Sequence, residues 1–130
     1  PRLAASSHAL AEWPLSSLRL VDDARWPWLL LVPRVDGARE LVDLAPDGQR
    51  LLIEEIDRCS RALLAVFAGS KLNVGALGNV VPQLHVHVVA RREGDPGWPG
   101  PVWGHGAPRP YPAAELAARI DLLRAALGHA

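Results

Sequence analysis

Cysteine is almost missing from this chain: Cys59 stands alone among 130 residues. A disulfide framework, a cysteine zinc site and a CxxC redox pair are all excluded. An excess of charge of one sign is missing too, because Lys+Arg and Asp+Glu both count 14. No general positive field exists to hold a nucleic acid polymer, although a small phosphorylated ligand needs only a few local donors. No window holds the long uninterrupted apolar run of a membrane span. The first fourteen residues lack the basic start and apolar stretch of a secretory signal, so a cytoplasmic location is expected. No Gly-x-Ser-x-Gly elbow supports serine hydrolase chemistry, no GK[ST] marks a phosphate-binding loop, and no internal repeat is visible.

What remains is an ordinary globular balance, 49% hydrophobic and 22% charged. It predicts one folded domain over 1–130, with roughly two-thirds of the unfolded surface buried. Residues 1–14 read as a loosely docked lead-in with a short helical turn. Alternation in 18–21, a turn at Asp22-Asp23-Ala24-Arg25 and the proline-bounded apolar run 26–33 predict an antiparallel hairpin. Pro46 and Asp47 suit a helix start. Leu52, Ile56, Cys59, Leu63 and Val66-Phe67 recur at helical steps, predicting an amphipathic helix over 46–68 with Cys59 as an inert thiol on its apolar stripe. A short strand at 71–74, a turn at 75–79 and a strand over 81–92 follow. Residues 93–112 are too rich in Gly and Pro for helix or central strand, yet Trp98 and Trp103 predict a docked segment. A helix over 113–127 carries Leu116, Ile120, Leu123 and Leu127 on one side. The order predicts an α+β fold, an antiparallel sheet of about five strands with a long helix and a C-terminal helix packed on it.

The chemistry concentrates in Gln83-Leu84-His85-Val86-His87-Val88-Val89. On a strand, Gln83, His85 and His87 share one face at steps of about 6.6–6.8 Å, while Leu84, Val86 and Val88 point to the core. Three uses of such a row stay open: nucleophilic attack by an imidazole, ligation of a metal by His85 and His87, and a structural face without chemistry. The metal reading needs further ligands from distant segments. Upstream, Asn73, Gly75, Gly78 and Asn79 offer amides and close-approaching backbone donors suited to phosphate, although Gly78-Asn79 alone reads equally as a hairpin turn. Arg91 and Arg92 read as an exposed edge within reach of phosphate. His8, His105 and His129 read as solvated.

The stretch LNVGALGNVVPQLHVHVVARR resembles the signature of the histidine triad superfamily, His-φ-His-φ-His-φ-φ with φ apolar, preceded by an Asn and a Gly-rich turn. RWPWLLLVPR, followed by ELVDLAPD and a helix, resembles that family's middle region, and the similarity spans 18–103. The resemblance implies an α+β sheet with a long helix, a homodimer, and a nucleotide hydrolase or nucleotidyl transferase working without a cofactor. A purine nucleoside phosphate is the implied substrate. By position, His85 is the implied nucleophile and His87 the phosphate contact. Gln83 replaces the first histidine: it can hydrogen-bond but cannot carry a proton. Asn73, Gly78 and Asn79 are the implied donors to substrate, and Asp22 (or Asp23) the implied ribose contact. Val80 lacks the hydroxyl that relatives place there, and Trp28 stands where many have a further histidine. These departures predict reduced or altered hydrolysis with the fold retained. The alternatives are a non-catalytic nucleotide-binding protein and a metal-dependent hydrolase using His85 and His87.

Overall fold

The computed structural model describes residues 2–128. His129 lies outside the described residues. Five strands form one antiparallel sheet in the order β1-β2-β3-β5-β4: β1 (Ser7–Glu12), β2 (Ser16–Val21), β3 (Trp28–Pro33), β4 (Lys71–Gly75) and β5 (Val86–Arg91). Three α-helices accompany them among the described residues, α1 (Arg2–Ala5), α2 (Pro46–Val66) and α3 (Ala113–Gly128), with a short 3-10 helix at Leu41–Asp43. Among the described residues no helix is long and apolar enough to cross a membrane.

Period-two alternation sorts the sheet into two differently covered faces. Leu18, Leu20, Leu29, Leu31, Val86, Val88 and Ala90 join the main core under the two long helices. Helix α2 starts with Pro46 at a first-turn position and buries Leu52, Cys59, Ala62 and Leu63. Each fully buried leucine of this kind contributes about 1.5–3 kcal/mol. Burial pushes the Cys59 thiol well above its ordinary pKa, and the nearby Glu55 charge adds to that, so it stays an unreactive core group. Leu123 and Leu127 of α3 are buried, with Leu116 and Ile120 packed beside the core. Arg58 of α2 lies 4.3 Å over the Trp13 ring and donates to Leu127 O at 3.1 Å, meeting a carbonyl at the end of α3.

The opposite face carries Trp26, Trp28, Val89 and Val102 as a second apolar cluster, with Trp103 against it. Its cover is the Gly/Pro-rich segment 93–112, which is a docked strap. Asp95 accepts from Arg91 Nε at 2.8 Å and Nη2 at 3.0 Å, with both side chains almost wholly buried. Tyr111 N donates to Asp22 Oδ1 at 3.0 Å, and Ala24 N donates to Arg109 O at 2.7 Å.

Three expectations need correction. Residues 7–12 are an edge strand, with a register shift between Ala9 and Ala11 where Leu10 turns into the core. The segment predicted as a strand over 81–92 is extended in the sheet only from Val86, because the chain turns at Gly78 (φ 72°) and Pro82 has no N–H to pair. Arg91 is no exposed edge: it is buried, and its guanidinium is spent within the protein.

Candidate active site

His85 sits one residue before β5, and two flanking contacts hold it there. Leu84 N donates to Ala38 O at 2.9 Å, and the Leu84 side chain is buried in the main core. His87 lies inside β5, opposite Leu30 of β3 and Gly75 of β4. The two imidazoles keep the same side although only one belongs to the ladder, with ring centroids 5.1 Å apart.

Each ring has one nitrogen committed, and the commitments are opposite. His85 Nδ1 is 2.6 Å from Gln83 O. A carbonyl only accepts, so Nδ1 carries the proton and Nε2 keeps its lone pair. His87 Nδ1 accepts from Trp28 Nε1 at 2.9 Å. An indole N–H only donates, so His87 carries its proton on Nε2. Burial, with a smaller effect from His85, lowers the His87 pKa from 6.5 to about 4. With these tautomers, one ring presents a nucleophilic nitrogen and the other an N–H donor.

Tryptophans wall this pair. Trp28 lies 5.7 Å and Trp103 lies 5.4 Å from His87, ring centre to ring centre. Trp103 also lies flush against Gly75, where an added Cβ would come within 3.1 Å of the indole. That glycine lets the strap bring its tryptophan onto β4.

A cleft of about 590 Å³ opens over the histidines, lined by His85, His87, Gly78, Asn79, Val80 and Trp103. It thus gathers His85, His87, Gly78 and Asn79 of the residues singled out in the sequence. The other three are arranged differently. Asn73 lies on the same face of β4 but is tied to the strap anchor, its Oδ1 accepting from Arg91 Nη1 at 2.9 Å. Gln83 donates through Nε2 to Pro33 O at 3.2 Å and lines a neighbouring cleft. Asp22 lines a third cleft with Asp23, Arg25 and His105, which shares Ser6, Val21, Trp28 and Gly104 with the histidine cleft.

His8 departs from its solvated expectation. It is half-buried on β1, with Nε2 at 3.2 Å from Asp22 Oδ1. Asp23 is buried; burial works to raise its pKa, and hydrogen bonds from Arg25 and Arg109 outweigh this and lower it. Among the described residues no third His, Cys, Asp or Glu joins the two histidines in a group able to hold a metal.

Trp28 was singled out only as a departure from the family pattern; its bond to His87 is the contact that sequence reading missed. Trp28 stands 59 positions from His87, and only strand pairing brings the two together. The available signals were its place in the apolar strand and its standing where many relatives have a histidine.

This fold and this pair of rings define a class. The HIT domain family matches residues 2–94, and the chain belongs to that family. A histidine triad protein from Bradyrhizobium japonicum is 47% identical, with 97% of this chain and 94% of that one covered and a TM-score of 0.93. One from Marinobacter aquaeolei VT8 is 45% identical, covering 98% and 93% with a TM-score of 0.95. A third, from Sinorhizobium meliloti 1021, is 43% identical over 94% and 90%, with a TM-score of 0.91. No curated protein sequence matches the chain significantly.

Proposed function

We propose that this protein transfers or hydrolyses nucleotidyl groups through a covalent nucleotidyl-His85 intermediate. The observation that carries the reading is the hydrogen bond from His85 Nδ1 to Gln83 O. It orients the ring and leaves the Nε2 lone pair facing a cleft, as a nitrogen nucleophile requires. In the first step Nε2 forms a bond to the α-phosphorus as the bond to the leaving group breaks, and the leaving group keeps the electron pair. In the second, a water oxygen bonds to phosphorus as the N–P bond breaks, and the water proton passes to solvent. The Nε2–H of His87 donates to a phosphate oxygen as charge builds, with Asn79 and the backbone near Gly78 adding donors. The substrate is a purine nucleoside phosphate, with Asp22 at the far end of the joined clefts for its sugar. Two copies of the chain pair, a reading supported by the open edge of β4 and the exposed Val74 on it.

The test is a trapping experiment with diadenosine tetraphosphate and adenosine 5′-phosphoramidate. Wild-type protein gains the mass of one adenylyl group, while His85→Ala gains none and still binds nucleotide. Full turnover by His85→Ala rejects the mechanism. A second reading, nucleotide binding without turnover, draws support from Gln83 being tied to Pro33 O and from the aliphatic Val80. The same experiment separates the two, since binding without any adduct favours the second.

A further inference from the structure

A second concavity, larger than the histidine cleft, lies beside it. About 700 Å³ in volume, it shares Leu3, Val80 and Val81 with that cleft. Arg2, Arg19 and Arg34 line it, together with Gln83, and Asp36 is the one carboxylate in its wall.

These arginines are poorly neutralised. Arg19 is half-buried on β2, and its bonds go only to neutral oxygens: Ser7 Oγ at 2.6 Å, Ser7 O at 3.0 Å and Ala4 O at 3.5 Å. Arg34 has Glu12 at 3.6 Å, a pair exposed on both sides. Among the described residues neither Arg2 nor Arg19 has a carboxylate within ion-pair distance. Arg2 and Arg34 are exposed, whereas the Arg19 guanidinium is half-buried and held in a fixed pose without a counter-charge, which costs desolvation that an anion would recover.

The histidine cleft points the same way through its proton inventory. Val80, on the ridge between the two clefts, has no hydroxyl. The Gln83 amide is spent on Pro33 O, and His87 is a neutral N–H donor whose other nitrogen is filled by Trp28. The one hydroxyl in the lining, Ser6, donates to Arg2 O at 3.1 Å, so among the described residues of this cleft no side chain is set to hand a proton to a departing amine or alkoxide. A phosphate or carboxylate oxygen needs none, because it leaves as a stable anion.

We propose that the arginine-lined cleft receives the leaving group, and that this group carries its own negative charge, as an oligophosphate does. The inference rests on His85 being the nucleophile. As the His85 Nε2–P bond forms, the bridging P–O bond breaks. The electron pair stays on the bridging oxygen, and the anion passes over Val80 toward Arg2, Arg19 and Arg34 without taking up a proton.

Two measurements test this. In calorimetry, inorganic tripolyphosphate binds the wild type, binds His85→Ala equally, and binds Arg2→Gln and Arg19→Gln about tenfold more weakly, the loss of one charge-assisted contact. In kinetics, wild type prefers diadenosine tetraphosphate to adenosine 5′-phosphoramidate in kcat/KM, and that ratio falls about tenfold in the two arginine variants. Arg19 also anchors Ser7, whereas the exposed Arg2 side chain makes no hydrogen bond or ion pair among the described residues, so Arg2→Gln reads the cleft with little risk to the fold. Tripolyphosphate bound equally by wild type and Arg2→Gln, or not bound at all, overturns the proposal, as does faster cleavage of the phosphoramidate by wild type. If wild type forms no adduct while tripolyphosphate binding still follows the arginines, the nucleophile reading fails and the anion cleft stands.

Discussion

The indole of Trp28 donates to His87 Nδ1 at 2.9 Å across the β3–β5 pair. Leu30 is the residue directly opposite His87, so the bond runs between diagonal neighbours on one face of the sheet. An imidazole able to reverse its tautomer is held in one form by a group that cannot accept. His87 is thereby an imidazole locked as a donor.

Trp28→Phe keeps most of the aromatic area and removes the donor. It should cost about 1–2 kcal/mol of stability, since His87 Nδ1 is left buried without a partner. Nitrogen NMR of His87 should show a mixture of tautomers in place of one. Adduct formation should slow about tenfold, which is the rate equivalent of one such bond. A single unchanged tautomer in Trp28→Phe would show that the bond does not set the ring's protonation.

Stability should depend on pH through His87. The folded pKa is lowered to about 4 from 6.5, so below pH 6.5 the unfolded chain binds a proton that the folded one does not. Stability is therefore full above pH 6.5 and declines as pH falls toward 4, by up to about 3 kcal/mol for this group. Asp23 and Asp95, both held low, add their losses at more acid pH. Urea melts of wild type and His87→Gln between pH 4 and 7 check the assignment: the slope should flatten in the variant.

Asp95→Asn should be severe. Burial works to raise the Asp95 pKa, but hydrogen bonds from Arg91 outweigh this and bring it well below the usual carboxylate range. Removing its charge strands a guanidinium that is 1% exposed, at a cost of about 3–5 kcal/mol. Denaturant midpoints measure the loss. Heightened proteolysis within 93–112 would show the strap lifting first, and an Asp95→Asn protein as stable as wild type would contradict the anchoring role.

Much of the fold was legible because period-two and helical patterns coincide with burial. Leu84, Val86 and Val88 turn into the core as their alternation predicts, and the stripe of α2 runs through Leu52, Cys59 and Leu63. Strand β1 was not legible, since Ser-His-Ala-Leu-Ala-Glu has a single large apolar residue and that one sits at a register shift. The histidine pair was legible because spacing of two survives the loss of ladder pairing at His85. The burial of Arg91 and the tie of Gln83 were not legible for one reason. Their partners, Asp95 in a turn and the Pro33 carbonyl on another strand, are contacts that no periodicity encodes. The arginine cleft belongs with these, since its three guanidinium groups come from separate segments of the chain.

The packing of Trp28 and Trp103 against His87 gives the protein an optical property of its own. Indole emission is quenched by a nearby charged imidazole and shifts with the water around the ring. Occupation of the histidine cleft, or a proton on His87, should therefore register in intrinsic fluorescence without any attached dye.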